Sequence, residues 1–410
     1  MNERTKESSR VGTDRMGGVR VAQRFSGVER SATVALLETV QRLRREGVDV
    51  LDLSGGEPDF TTPQTVIAEA VSALEGGDTH YTPSRGLPEL LGAIGEKLAT
   101  ENGVHVDPAT GIIVTPSAKQ ALFTALMTVL DPGDEVIVPT PAWVSYPAMA
   151  ALIGARAVPA ELRAEDGFRL SRQLLEGRLT DRTRALVINT PANPTGHVLD
   201  GEEAAEIVAF AVEHNLVLIV DEIYEKIVYD GHRHLSLASL PGVAERTLTV
   251  NGFSKAYAMT GWRLGYLAGP GPLIAQALKV QEHTVSCAAS FVQRGGVAAL
   301  TGAADDIAAM LKEYTVRREL TVTALNALPG VSCAYPEGAF YAFADIRGTG
   351  LTSAAFAQLL LERAAVTVAP GSAFGAGGEG HVRLSFAASR DVLEGVGERL
   401  TRLAEEWPAP

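Results

Sequence analysis

Six short stretches of this chain are almost wholly apolar, and helical patterns separate them. They are Ile112-Ile113-Val114, residues 135–138 (Glu-Val-Ile-Val), residues 185–188 (Ala-Leu-Val-Ile), residues 216–220 (Leu-Val-Leu-Ile-Val), residues 247–250 (Thr-Leu-Thr-Val) and residues 264–268 (Leu-Gly-Tyr-Leu-Ala). A strand with one wet face alternates apolar and polar residues, whereas a run apolar throughout is covered on both faces. Such runs, alternating with helices, predict a largely parallel α/β sheet. Ligands of open sheets of this kind sit beyond the carboxyl ends of the strands. The turns that follow these runs are therefore where function is expected.

At 410 residues the chain is too long for one ordinary core, so two domains are expected. An apolar content of 46% with 21% charged residues describes a globular protein. A net charge of -13 argues against nucleic acid as the main partner, because a phosphate backbone calls for a basic surface. Two cysteines, Cys287 and Cys333, stand in no metal or CxxC spacing, which fits a reduced, cytoplasmic setting and gives no metal site. No window reaches the roughly 18 apolar residues of a membrane helix. The first thirty residues lack the apolar core of a secretory signal, and residues 1 to about 15 are expected to be a disordered tail.

Residues 31–47 read as a helix starting at Ser31 or Thr33, with Gly47 beyond its end. Residues 48–53 read as a short strand running into Gly55-Gly56-Glu57-Pro58-Asp59-Phe60, where glycine permits close approach of backbone to a ligand. Beyond residue 305 the pattern changes to a long helix (307–327), short runs at 332–335 and 338–343, a helix at 353–363, and runs at 367–369 and 381–386. This predicts a smaller α+β domain that packs with the N-terminal helix. The expected division is an N-terminal extension (1–27), a small domain (28–60 and 305–410) and a large domain (61–304).

The turn after residues 247–250 carries Lys255, and Arg263 follows eight positions later. A lone loop lysine is ordinarily just solvated. Here it stands with Arg263 and with Asp221, which ends another run and precedes Glu222 and Tyr224. A lysine acts as a covalent catalyst when it condenses with an aldehyde. Pyridoxal phosphate is an aldehyde cofactor that requires such a lysine, a phosphate clamp and an acid at its ring nitrogen. Glu222 should point elsewhere. Asn193, in Pro191-Ala192-Asn193-Pro194-Thr195-Gly196, is either a turn former or an amide for a ring oxygen or a substrate carboxylate. Ser117-Ala118-Lys119 joins a strand to a helix, where backbone N–H groups seat a phosphate, although Ser117 also suits a plain cap. Trp143 is either core or a stacking ring. Arg383, in an apolar strand pattern, would be costly to bury unless it binds a carboxylate or joins an internal ion pair. A plain dinucleotide-binding dehydrogenase is excluded by the missing GxGxxG after the first strand.

Taken together these residues resemble the class I and II aminotransferases of fold type I, and they are most similar to the bacterial aspartate aminotransferases of the Ib subgroup. The resemblance runs from about Ser31 to the C-terminus. It rests on Ser31-Ala-Thr33-Val, Gly56-Glu-Pro-Asp-Phe60, Tyr81-Thr-Pro, Lys119-Gln-Ala-Leu122, Asp131-Pro-Gly-Asp-Glu-Val-Ile-Val138 and Trp143-Val-Ser-Tyr-Pro147. It continues through Asn193-Pro-Thr-Gly196, Asp221-Glu-Ile-Tyr-Glu225, Ala258-Met-Thr-Gly-Trp-Arg-Leu-Gly-Tyr266 and His381-Val-Arg-Leu-Ser385.

The resemblance implies a large domain with a mainly parallel seven-stranded sheet, a smaller α+β domain, pyridoxal 5'-phosphate, and a homodimer with its active sites at the interface. By it, Lys255 bonds the cofactor and moves the substrate proton, Asp221 holds the ring nitrogen, and Asn193 with Tyr224 holds the phenolic oxygen. Arg263, the backbone of Ser117, Ala118 and Lys119, and Tyr81 from a second subunit hold the phosphate. Arg383, Asn193, Trp143 and the Gly56 backbone take the α-carboxylate, and Lys119 takes the distal carboxylate of an acidic substrate. The implied reaction passes the amino group from aspartate or a similar acid to a 2-oxo acid such as 2-oxoglutarate. Arg85 and the segment 283–294 depart from the pattern of the subgroup. They motivate a second reading, a lyase or cyclase of specialised metabolism on the same scaffold. A DNA-binding regulator on this fold would need a further domain that residues 1–30 do not supply.

Overall fold

A computed structural model describes residues 15, 16, 19–28, 30 and 32–407 of the chain. Ser31 and residues 1–14, which carry an expected helix cap and most of the expected tail, lie outside the described residues. The predicted runs become β1 (Ile112–Thr115), β2 (Glu135–Thr140), β4 (Thr183–Asn189), β5 (Val217–Asp221), β6 (Thr247–Gly252) and β7 (Gly265–Ala268). A further strand, β3 (Arg156–Glu161), completes a seven-stranded sheet in the order β1-β7-β6-β5-β4-β2-β3. Strand β7 runs antiparallel to both neighbours, and every other pairing is parallel. The sequence reading passed over β3 because, unlike the other edge strand β1, it is only partly buried. It has exposed ends at Arg156 and Glu161 and carries Pro159, a residue that an edge position tolerates.

The helices that bear on the site are α1 (Ala32–Arg45), α2 (Ala118–Val129), α3 (Ser145–Leu152), α4 (Gly201–Glu213), α5 (Ala304–Asn326), α6 (Ser353–Ala364) and α7 (Arg390–Glu405). Successive side chains of the central strands enter different cores. Val136 and Val138 pack with Leu122 and Leu126, while Ile137 packs with Leu186 and Phe210. This two-sided burial is what the uninterrupted apolar runs predict. Each such fully buried side chain contributes about 1.5–3 kcal/mol. Among the described residues no helix is long and apolar enough to cross a membrane.

A second sheet, in the order β8-β10-β9, consists of β8 (Tyr341–Asp345), β9 (Ala369–Pro370) and β10 (His381–Ser385), all antiparallel. Its register sets Tyr341 opposite Ser385 and Phe343 opposite Arg383, so these four side chains share one face. The expected strand at 48–53 is reduced to Leu51–Asp52, which pairs in parallel with Val366–Thr367. The run expected at 367–369 is split between that pairing and β9. Residues 332–335 form only one bridge, Ser332 to Asp345. Helix α7 has no counterpart in the sequence reading. It covers this layer with Leu393, Val396, Leu400 and Leu403.

His197 ties the two layers together behind the site. Its Nε2 lies 2.7 Å from Glu203 on α4, and its Nδ1 lies 3.2 Å from Glu337, just before β8. Burial disfavours the imidazolium, but the two glutamates override it and push the group up to about 9. Because the folded value lies above the ordinary 6.5, the stabilisation is complete below pH 6.5 and is lost as pH rises through about 9. The His197→Gln variant should therefore lose on the order of 3 kcal/mol relative to wild type at pH 6, and almost nothing at pH 10. Denaturant unfolding at both pH values checks this. A difference independent of pH would refute it.

Candidate active site

A cavity of about 850 Å³ opens at the carboxyl ends of β1, β5 and β6. Gly56, Ser117, Ala118, Lys119, Trp143, Asn193, Asp221, Tyr224, Lys255, Arg263 and Arg383 all line it. Tyr81, the remaining candidate, does not. The residue is 92% exposed and stands outside its own chain's cavity lining.

Lys255 and Arg263 arrive together because β6 and β7 are antiparallel neighbours, and the chain between them must turn back at the sheet end. The two strands pair at Gly252 and Gly265. A Cβ on Gly265 would lie 2.3 Å from the Ala118 nitrogen, so only glycine lets the start of α2 approach this closely. Ser117 takes a positive φ of 104° there, and its Oγ accepts from the Gln120 N–H at 3.3 Å. The first N–H groups of α2 thus face the cavity beside Arg263, the arrangement that seats a phosphate. The Arg263 Nη1 donates to the Thr260 carbonyl at 2.7 Å.

Lys255 Nζ donates to the Gly56 carbonyl at 2.5 Å. Burial, with the charges of Arg383 and Arg263, pulls its ammonium down to about 8, and Glu57 opposes the shift. A usable fraction is therefore the free amine near neutral pH.

Asp221 ends β5, buried, with Oδ2 accepting from Tyr146 at 2.9 Å and Oδ1 from the Ile223 N–H at 3.3 Å. Burial pushes its carboxyl up to about 6, against the pull of those two bonds. Glu222 turns away, as expected, to Ser236 at 2.8 Å and His234 at 3.2 Å. Glu222, Glu225 and His234 are the one group of metal-type ligand atoms among the described residues. Lys97, Asn102 and Ser236 already bond them. This cluster reads as a charge-balanced support beneath β5.

Arg383 is buried and forms no ion pair among the described residues. Its Nη1 donates to Asn193 Oδ1 at 3.0 Å and its Nη2 to the Ser54 carbonyl at 2.6 Å, and its Nε has no partner. The guanidinium stacks 4.4 Å from Tyr341 and 4.8 Å from Phe374. The internal ion pair considered from the sequence is therefore absent, and the charge is left for an anion. Lys119 Nζ lies 4.8 Å over the Trp143 ring; burial and the Arg263 charge lower its pKa.

Tyr146 and Tyr341 also line the cavity and were not singled out in the sequence. Tyr146 stands three residues after Trp143, on the first turn of α3, and that spacing was the only available signal. The Tyr341 Oη lies 2.8 Å from the Tyr224 Oη.

Arg85 and the end of the 283–294 segment, at Gln293 and Arg294, serve the scaffold. Arg85 Nη1 donates to the carbonyls of Thr110 and Ile112 at 3.2 and 2.9 Å. Gln293 Oε1 accepts from the Leu87 N–H at 2.8 Å, its Nε2 donates to Thr82 Oγ1 at 2.9 Å, and Arg294 pairs with Asp78 and Glu89.

These groups fit pyridoxal phosphate. A partly neutral lysine, a buried carboxylate without a cationic partner, and an arginine beside open helix N–H groups meet in one cavity.

The family model described as aminotransferase class I and II matches residues 48–400. The aspartate aminotransferase of Musicola paradisiaca is 47% identical over 390 residues, covering 95% of this chain and 98% of that protein. The aromatic-amino-acid aminotransferase 2 of Thermococcus litoralis is 43% identical, covering 88% and 93%. The solved structure of the Thermus thermophilus aspartate aminotransferase with maleate superposes with a TM-score of 0.89 at 41% identity, covering 93% and 99%. The chain belongs to the class I and II aminotransferases, a family that depends on pyridoxal phosphate and acts on amino acids and 2-oxo acids.

Proposed function

We propose that acidic amino acids, aspartate foremost, are the amino donors of this aminotransferase, and that a 2-oxo acid such as 2-oxoglutarate is the acceptor. The observation that carries the reading is a surplus of free cations. Lys119, Lys255, Arg263 and Arg383 all line one cavity, and none is ion-paired among the described residues. A phosphate takes one of these charges. A dicarboxylic substrate offers two carboxylates for Arg383 and Lys119.

Pyridoxal phosphate supplies an aldehyde that takes up the amino group and a ring that accepts the electrons left at Cα. Asp221 would hold its ring nitrogen as a charged N–H, which gives the buried carboxylate the cation it lacks. Asn193 and Tyr224 would hold its phenolic oxygen. Arg263 and the N–H groups of Ser117, Ala118 and Lys119 would hold its phosphate, joined by Tyr81 from a second copy of the chain. Lys255 Nζ takes the proton from the substrate Cα, a task suited to an amine whose pKa is lowered to about 8. Arg383, Asn193, Trp143 and the Gly56 backbone would fix the α-carboxylate.

The exposure of Tyr81 supports a homodimer with active sites at the interface. We also propose residues 28–60 with 305–410 as the small domain and 61–304 as the large one, a division supported by the two separate sheets. The two free cysteines support a cytoplasmic setting. With Arg85 and Gln293 engaged by the scaffold, no observation favours the lyase or cyclase reading.

The test is to mix the cofactor-loaded protein with aspartate and no oxo acid. Stoichiometric oxaloacetate, with loss of the cofactor's aldehyde absorbance, is expected. Ammonia release, or faster reaction with tyrosine or phenylalanine than with aspartate, would overturn the assignment.

A further inference from the structure

Within the aminotransferase reading, on which this inference rests, we propose that Tyr341 is a positioning residue that sets the hydrogen-bond strength of Tyr224 toward the cofactor.

The two phenol oxygens lie 2.8 Å apart, their rings are nearly perpendicular at 83°, and both side chains are buried. Neither hydroxyl has another partner among the described residues. Two hydroxyls own two protons and need only one for the bond between them, so one O–H is free to turn into the cavity. When the Tyr224 O–H turns to a ligand oxygen, Tyr341 is the hydroxyl placed to donate to the Tyr224 oxygen. A donor that itself accepts a hydrogen bond is polarised and donates more strongly, by about 10–30% per link.

Tyr341 is held for this task from three sides. Strand pairing fixes its backbone opposite Ser385. The Arg383 guanidinium stacks 4.4 Å from its ring. The backbone at Gly56 presses on its hydroxyl so closely that a Cβ there would lie 2.3 Å from Oη. The glycine expected to approach substrate thus also makes room for the Tyr341 hydroxyl.

A donor at the cofactor's phenolic oxygen stabilises negative charge there, which eases loss of the proton from the cofactor-bound Lys255 Nζ. Weakening that donor must raise the pH at which the proton leaves. The competing role for Tyr341 is simple packing beneath Arg383, which would alter substrate KM and leave this proton untouched.

The experiment loads wild type, Tyr341→Phe, Tyr224→Phe and the double variant with pyridoxal phosphate and titrates visible absorbance against pH. Tyr341→Phe removes one oxygen and keeps the ring contacts. Its midpoint should rise by about 0.1–0.6 pH unit, the 10–30% that one link adds to a hydrogen bond made to a charged oxygen. Tyr224→Phe should shift further in the same direction, and the double variant should match Tyr224→Phe, because Tyr341 acts only through Tyr224. An unchanged midpoint in Tyr341→Phe, or additive shifts in the double variant, would overturn the proposal. A wild-type protein that develops no visible absorbance would overturn the site reading itself, and the role of Tyr341 with it.

Discussion

Replacing Lys255 by alanine should abolish turnover and leave the fold in place. The amine is both the point of attachment for the cofactor aldehyde and the base at Cα. Loss of general acid–base catalysis alone costs about 10²–10⁴-fold, and losing the covalent role as well sets the expected fall in kcat at about 10⁴-fold or more. The fold loses little, because the side chain makes one hydrogen bond, to the Gly56 carbonyl. Burial also opposes its charge, as the lowering to about 8 records. Initial rates and a thermal melt on the same sample check both halves. Measurable turnover within tenfold of wild type would remove Lys255 from its assigned role.

Asp221 should give the second large effect, and two variants separate charge from structure. Asp221→Ala removes the carboxylate and strands the buried Tyr146 hydroxyl, which costs roughly 1–3 kcal/mol of stability. Asp221→Asn keeps an oxygen for Tyr146 and removes only the charge. Both should lower kcat by about 10²–10⁴-fold, because an uncharged partner cannot hold the ring nitrogen protonated.

The same residue predicts a pH dependence of the cofactor-free protein. Its folded pKa, about 6, lies above the ordinary carboxyl value, so the fold favours the neutral acid. Stability from this group is present at low pH and is lost as pH rises through about 6, by on the order of 3 kcal/mol. Asp221→Asn should remove that slope. Unfolding titrations from pH 4 to pH 7.5 measure it, and an unchanged slope in the variant would contradict the account.

What the sequence disclosed follows from how each element is buried. The six legible strands, the edge strand β1 among them, are covered on both sides, which forces their sequences to be apolar almost from end to end. The edge strand β3 was not, since one side faces water and Pro159 needs no ladder partner there. Lys255, Asp221, Asn193 and Ser117 could be placed because they follow strands directly, and strand ends in such a sheet converge on one cavity.

Tyr146 and Tyr341 could not be placed in this way. Their partners, Asp221 and Tyr224, lie 75 and 117 residues away, and only the sheet order and the second layer bring them together. His197 was hidden for the same reason. It looks like the tail of a turn motif, and its glutamates come from α4 and from the segment before β8. Arg85 shows the opposite error. It stood out as a departure from the family pattern, yet the structure gives it backbone carbonyls to hold.

The central claim is that one amine in this chain, Lys255 Nζ, bonds the cofactor aldehyde. Incubating the protein with pyridoxal phosphate, reducing with borohydride and mapping the tryptic peptides by mass spectrometry tests it directly. The account predicts a single stable adduct, on Lys255, in stoichiometric yield. Label on Lys119 or another lysine in its place, or no label at all, would contradict it.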